Sequence, residues 1–219
     1  MQEFRREERT GFEWYNLEAT PEQKKLFDRI SAFSVLFDDL LFKPGTATHE
    51  MMRCQVCNKG EWKNYYLDAP DEIEYFDYSF FTFSVKPLSE DCVGYFFPAE
   101  QELCIASAFI GNDAAILHEM IHLHEFVLDC APSFCHDMAF WGLYTQLRER
   151  IPQLDEIISA NSFMLTQESV YELGGTHDLL FLLKSFDLDI RKGYPLGTVF
   201  AYGKETELKK FTYTKEGTP

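Results

Sequence analysis

The sequence lacks the features that would assign the protein to a membrane or a secreted class. It contains no run of about 18 consecutive apolar residues, so we expect no membrane-spanning helix and no membrane partner. The N-terminal residues are charged and do not contain the apolar stretch of a secretory signal. We therefore expect a cytoplasmic protein.

Positive charge is also scarce. The chain has 20 lysine and arginine residues against 36 aspartate and glutamate residues, which gives a net charge of −16 and a pI near 4.7. No strong basic run is present, and Arg5-Arg6 and Lys209-Lys210 are isolated pairs. Because proteins attract nucleic acids through clustered positive charge, this composition argues against a nucleic-acid partner.

Cysteine is too rare to indicate a disulfide scaffold, with six residues in a chain of 219. Cys54-Gln55-Val56-Cys57 resembles half of a zinc knuckle, but the sequence contains no second C-x-x-C. A structural zinc site needs four ligands, so ordinary thiols are the better interpretation of Cys54 and Cys57.

Local patterns predict a mixture of helices and strands. Thr20-Pro21-Glu22-Gln23 combines a helix cap, a proline at the first helical position and a capping-box glutamine, and apolar residues follow at helical spacing to about Phe42. Four segments have the aromatic and β-branched composition of strands: Tyr78–Val85, Val93–Phe97, Leu103–Ile110 and Thr198–Tyr202.

The most informative stretch is His118-Glu119-Met120-Ile121-His122, an H-E-x-x-H sequence. Asn112 is a cap-type residue and helix-forming residues follow it, so the motif is predicted to lie on a helix. Residues four apart share one face of a helix, and His118 and His122 can therefore bind the same metal ion. Glu119 lies beside them and can act as a general base without being a ligand.

The other histidines are less suited to this role. His124 is predicted to point nearly opposite to His122 and so not to be a ligand. His49 lies in a predicted loop and is interpreted as solvated. His177 precedes an apolar helix and is interpreted as a cap or surface group.

A catalytic zinc ion needs a third protein ligand and one open position. The metzincin spacing places that ligand six residues after the second histidine, where this chain has Leu128, so the metzincin class is excluded. Two alternatives stay open. His136 stands at the start of the next predicted helix, and Glu168 or Glu172 would complete a set of two histidines and one glutamate.

The hairpin at Gly94-Tyr95-Phe96, the H-E-x-x-H motif and the run His136-Asp137-Met138-Ala139-Phe140 together resemble the SprT-like (Spartan-type) zinc metallopeptidases. The resemblance covers roughly residues 20–150. In that family a G-Y hairpin leads into H-E-m-x-H, and a third histidine follows as H-G-x-x-F. The resemblance implies Zn²⁺ ligands at His118, His122 and His136, with Glu119 as the base. Asp137 replaces the family's glycine and could orient a ligand histidine by a hydrogen bond.

We expect an α+β, zincin-like fold, in which a small antiparallel or mixed sheet packs on the helix that carries H-E-x-x-H. The expected organisation has an N-terminal segment (1–18), a metallopeptidase domain (19–152) and a mostly helical C-terminal extension packed on it (153–219). The expected activity is that of a zinc metallopeptidase, an endopeptidase rather than an exopeptidase, with a peptide or protein as substrate. The alternative is a non-catalytic zinc-binding protein of peptidase fold that binds a peptide or protein partner.

Overall fold

A computed structural model describes residues 20–37, 82–90, 92–98, 102–129, 133–161 and 177–214. The Cys54/Cys57 pair and His49 lie outside these ranges, so the predictions made for them stay predictions. The predicted division of the chain into segments 1–18, 19–152 and 153–219 stays a prediction.

The first helix, α1 (Pro21–Phe37), begins as the sequence predicts. The Thr20 N–H donates to Gln23 Oε1 at 2.8 Å, and the Gln23 N–H donates to Thr20 Oγ1 at 3.2 Å. These two bonds form a capping box, which satisfies backbone donors that have no partner within the helix. The predicted continuation from Phe37 to Phe42 lies outside the described residues.

Three strands form a mixed sheet, as expected: β1 (Thr82–Lys86), β2 (Gly94–Phe97) and β3 (Glu102–Ala106). The order is β1-β3-β2, with β3 parallel to β1 and antiparallel to β2. The predicted strand at Leu103–Ile110 is therefore too long, because the chain turns into a short 3-10 helix at Ser107–Phe109.

The H-E-x-x-H motif lies on α2 (Asp113–Asp129), as predicted. Asn112 caps this helix, since its Oδ1 accepts from the backbone N–H groups of Ala114 at 3.0 Å and Ala115 at 3.3 Å. The helix packs against β2 and β3 and also contacts α1. Between Ala114 and Phe126 every side chain except that of His122 is buried, so the structure covers both faces of this helix.

Three more helices follow: α3 (Ser133–Arg150), α4 (Leu154–Asn161) and α5 (Leu179–Lys192). Helix α5 packs against α2 and α3, and it ends at Gly193, whose φ of 72° is a left-handed conformation suited to glycine. The strand predicted at Thr198–Tyr202 is wrong, because this segment forms a series of turns. None of the helices within the described ranges combines the length and apolar character needed to cross a bilayer.

Gly94 allows the β2–β3 hairpin to approach α2 closely. A Cβ atom at this position would lie 2.7 Å from the carbonyl oxygen of Cys104 and 3.0 Å from Cγ of Glu119. The first distance is shorter than a Cβ atom tolerates and involves backbone, which does not yield easily, and the second is so tight that the side chain of Glu119 would have to shift. Glycine at position 94 therefore makes room for the side chain of Glu119.

We predict that Gly94→Ala lowers the free energy of unfolding by about 1–3 kcal/mol, because the added methyl group overpacks the contact between strand and helix. Urea denaturation measures this change. Gly142→Ala is the matched control, since no described atom lies within 4 Å of a Cβ at this exposed position of α3. The control should raise stability by about 0.5–1 kcal/mol through the better helix propensity of alanine. Equal effects of the two substitutions would contradict the close contact.

Candidate metal centre

Three imidazoles meet beside α2. Nε2 of His177 lies 2.9 Å from Nε2 of His118 and 3.2 Å from Nε2 of His122. One ring nitrogen from each of the three residues lies within 4.8 Å of the other two. His118 and His122 come together through helical spacing, as predicted, and His177 comes from a segment more than fifty residues further along the chain.

The interpretation of His177 as a cap or surface group is wrong. The cap of α5 is Asp178, whose Oδ1 accepts from the Phe181 N–H at 2.8 Å. His177 therefore lies just before the cap, where the chain enters the helix, and its ring faces the two histidines of α2. A histidine before an apolar helix carries no local pattern that distinguishes a ligand from a surface group, so the sequence alone could not identify it.

His118, His122 and His177 can hold a metal ion. In a tetrahedral zinc site with Zn–N bonds of about 2.0–2.1 Å, two ligand nitrogens lie about 3.3 Å apart. The two Nε2–Nε2 distances in this cluster, 2.9 and 3.2 Å, need only small adjustments to match that value. The cluster therefore fits a zinc ion in donor type and in these two distances, and the remaining nitrogen pair lies within 4.8 Å.

Burial keeps these imidazoles neutral, which is the form that binds a metal. It lowers the pKa of His122 to about 3 and that of His177 to about 4. The pKa of His118 lies well below its usual range, mainly through burial and further through the neighbouring rings of His122 and His177. All three ring nitrogens are thus available as neutral donors at physiological pH.

Aromatic side chains surround the cluster. The ring of Phe181 lies 4.5–4.7 Å from the rings of all three histidines, measured between centroids. Tyr202 stacks on His118 with a centroid distance of 3.8 Å and an interplanar angle of 29°. These contacts fix the ring planes and exclude water, and so explain the lowered pKa values of the histidines.

The backbone determines the tautomer of His118. Nδ1 of this residue lies 3.1 Å from the carbonyl oxygen of Val199. A carbonyl oxygen can only accept, so Nδ1 carries the hydrogen and donates it, which leaves the lone pair on Nε2 for a metal. Glu125 lies near the corresponding atom of His122, with Oε2 at 3.9 Å from Nδ1, too long for a hydrogen bond.

Glu119 is almost completely buried, with 1% of its surface exposed. Burial raises its pKa to about 8. It follows His118 on α2, and its carboxylate lies against Gly94 of the hairpin. A nearby cation would favour the charged carboxylate and lower this pKa.

The structure does not describe the side chains of the other predicted site residues. Nothing is described of the side chains of His136 and Asp137 in α3, and Glu168 and Glu172 belong to a segment that is not described. Their assignment as ligands or orienting groups stays a prediction. His124 does not belong to the cluster, which agrees with the prediction that it is not a ligand. Its ring stacks on that of Phe37, with a distance of 4.2 Å between the centroids.

Neither the protein-family models, nor the curated proteins, nor the solved structures include a match to this chain.

The buried histidines make the stability of the metal-free protein sensitive to acid. Besides the three in the cluster, His124 has a pKa well below its usual range because it is buried and lies near the positive charge of Lys184. Unfolding exposes all four imidazoles, whose pKa returns to about 6.5. The unfolded state then binds more protons than the folded state, so acidification below about pH 6.5 favours unfolding.

Two carboxyl groups oppose this trend. Burial raises the pKa of Glu119 to about 8 and that of Asp189 to about 7, so the folded state holds these two protons more tightly than the unfolded state. In the unfolded state the four imidazoles bind about three protons at pH 6 and nearly four at pH 5, and the two carboxyls of the folded state offset about two of these. The net slope therefore grows from about 1.5 to about 3 kcal/mol per pH unit over this range. We predict that the free energy of unfolding, measured with urea and a chelator, falls at about this rate between about pH 6 and pH 5.

His124→Phe provides the control, because it removes one of the four titrating groups without touching the cluster. Its slope should be smaller by about 1.4 kcal/mol per pH unit. A stability that does not fall over this range would contradict the presence of four buried, neutral imidazoles in the folded protein.

Proposed function

We propose that the protein is a zinc-dependent metallopeptidase. The observation that carries the proposal is the convergence of three neutral imidazoles, from His118, His122 and His177, beside the buried carboxyl group of Glu119. Imidazole nitrogen is a preferred ligand of zinc, and three protein ligands are the number found in catalytic zinc sites. The H-E-x-x-H spacing adds a general base next to the first ligand.

When bound, the zinc ion would acidify a water molecule and polarise the carbonyl group of the scissile bond. His118, His122 and His177 would hold the ion, and the hydrogen bond from Nδ1 of His118 to Val199 leaves the lone pair of Nε2 free for it. Glu119 accepts a proton from the attacking water and passes it to the leaving amine. Gly94 leaves the space in which this carboxylate lies.

A peptide bond is the substrate that the motif favours, and an endopeptidase is the preferred class. The β2–β3 hairpin before α2 supports the resemblance to SprT-like peptidases, in which a G-Y hairpin leads into the motif. We propose His177 in the role that the resemblance gives to His136. The proposed kinship therefore concerns the hairpin and α2, and the third ligand is where this chain would depart from that family. The excess of negative charge favours a peptide or protein partner over a nucleic acid.

We predict about one zinc ion per chain in the protein of 219 residues, and loss of that zinc in His177→Ala, because two remaining imidazoles bind zinc far more weakly than three. Elemental analysis after dialysis measures the content. His136→Ala, Glu168→Ala and Glu172→Ala are the matched comparisons and should retain the metal. Zinc lost in one of these three variants and kept in His177→Ala would reassign the third ligand.

We predict that Glu119→Gln retains zinc and lowers the hydrolysis of an unfolded protein substrate by at least about 10²–10⁴-fold, the contribution typical of a general base. Glutamine has nearly the same size but cannot accept the proton from water. Peptide products are followed by mass spectrometry, with added zinc and with a chelator. Turnover that is unchanged in this variant would remove Glu119 from the mechanism.

The burial of the site favours a second candidate, a zinc-binding protein without turnover that binds a peptide or protein partner. His118 has no exposed surface and Glu119 has 1%, which leaves little room for a substrate at these two side chains. In this case chelation of zinc would lower the stability of the wild-type protein and of Glu119→Gln equally. No peptide would be cleaved by either protein.

A further inference from the structure

One loop touches two of the three proposed ligands. The 195–203 loop, which follows α5, brings the carbonyl group of Val199 to His118 and places the ring of Phe200 5.7 Å from that of His177. Tyr202, in the same loop, stacks on His118 and has a φ of 55°, a conformation that is rare for a residue with a side chain. The loop must therefore be held firmly by contacts elsewhere.

Asp189 supplies these contacts from the last turns of α5. Its Oδ2 accepts from the backbone N–H groups of Gly197 at 2.6 Å and Thr198 at 3.1 Å, and its Oδ1 accepts from that of Val199 at 2.9 Å. Asp189 has no exposed surface. In its ionised form this side chain suits the position, because both carboxylate oxygens then only accept hydrogen bonds, and three donors converge on them.

Val199 links Asp189 to the metal centre. Its N–H donates to Asp189, and its C=O accepts the hydrogen from Nδ1 of His118. Displacement of Val199 would remove the acceptor that keeps the hydrogen on Nδ1, and the hydrogen could then move to Nε2, the atom that faces the other histidines. A neutral imidazole with its hydrogen on Nε2 cannot bind a metal through that nitrogen.

We propose that Asp189 is a positioning residue of the metal centre, which fixes the orientation and tautomer of His118 through Val199. The effect on zinc affinity rests on the proposed metal site. The effect on the tautomer is a property of the metal-free protein and can be tested without zinc.

Asp189→Asn is the decisive substitution. An asparagine keeps the size of the side chain but replaces one acceptor oxygen with an NH₂ group, which would oppose a backbone N–H donor of the loop. We expect zinc affinity, measured by competition with a chromophoric chelator, to fall by about 10- to 100-fold. In metal-free protein, the imidazole nitrogen NMR shifts of His118 should change from the Nδ1–H tautomer to a mixture of both.

Asp187→Asn is the matched control. Asp187 is a buried carboxylate on the same helix, and it accepts from Lys184 and Arg191 of that helix. This control should lower the free energy of unfolding, because it removes a buried charged partner. Its zinc affinity and the tautomer of His118 should match those of the wild type.

The proposal is overturned if Asp189→Asn leaves both the zinc affinity and the tautomer unchanged, or if Asp187→Asn alters them equally. If Asp189→Asn does not fold, Asp189→Glu takes its place, since it keeps the carboxylate but displaces the loop, and it should weaken zinc binding in the same direction. A wild-type protein that binds no zinc would refute the proposed function alone, because the tautomer measurement would still decide the role of Asp189.

Discussion

The exclusion of water from the imidazoles of His118, His122 and His177 is the condition on which the proposed centre depends. Nε2 of His177 lies 2.9 Å from that of His118 and 3.2 Å from that of His122, so the rings would repel one another if they were protonated. Phe181 contacts all three rings, and the surrounding core keeps them neutral. The apolar packing of the helices therefore does more than stabilise the fold, because it also keeps the three rings in the neutral form that metal binding would require.

The centre is assembled from parts that are distant in the sequence. Helix α2 supplies two imidazoles, the entry to α5 supplies the third, and the 195–203 loop supplies the acceptor for His118. None of these parts can hold its geometry alone, since each ring is oriented by a side chain or carbonyl group from another part. Metal binding and the packing of the C-terminal elements should consequently be coupled, so that loosening either weakens the other.

Local sequence patterns predicted the elements of the fold better than the completed site. The spacing of His118 and His122 and the capping sequence Thr20–Gln23 act within one or two turns of helix, and both were confirmed. His177 contacts His118 although the two are 59 residues apart in the sequence, and a contact at that separation leaves no periodic pattern from which it could be predicted. The segment Thr198–Tyr202 has the composition of a strand, but the acceptor oxygens of Asp189 hold its backbone in turns instead.

Glu119 shows why the motif and the metal depend on each other. The same burial that keeps the imidazoles neutral raises the pKa of Glu119 to about 8, so near neutral pH this carboxyl would carry a proton and could not act as a base. A cation held by the three histidines would reverse this, because it stabilises the carboxylate more strongly in an apolar setting than in water. The proposed zinc ligands and the proposed base would thus form one electrostatic unit, in which Glu119 would become competent as a base only in the presence of the metal.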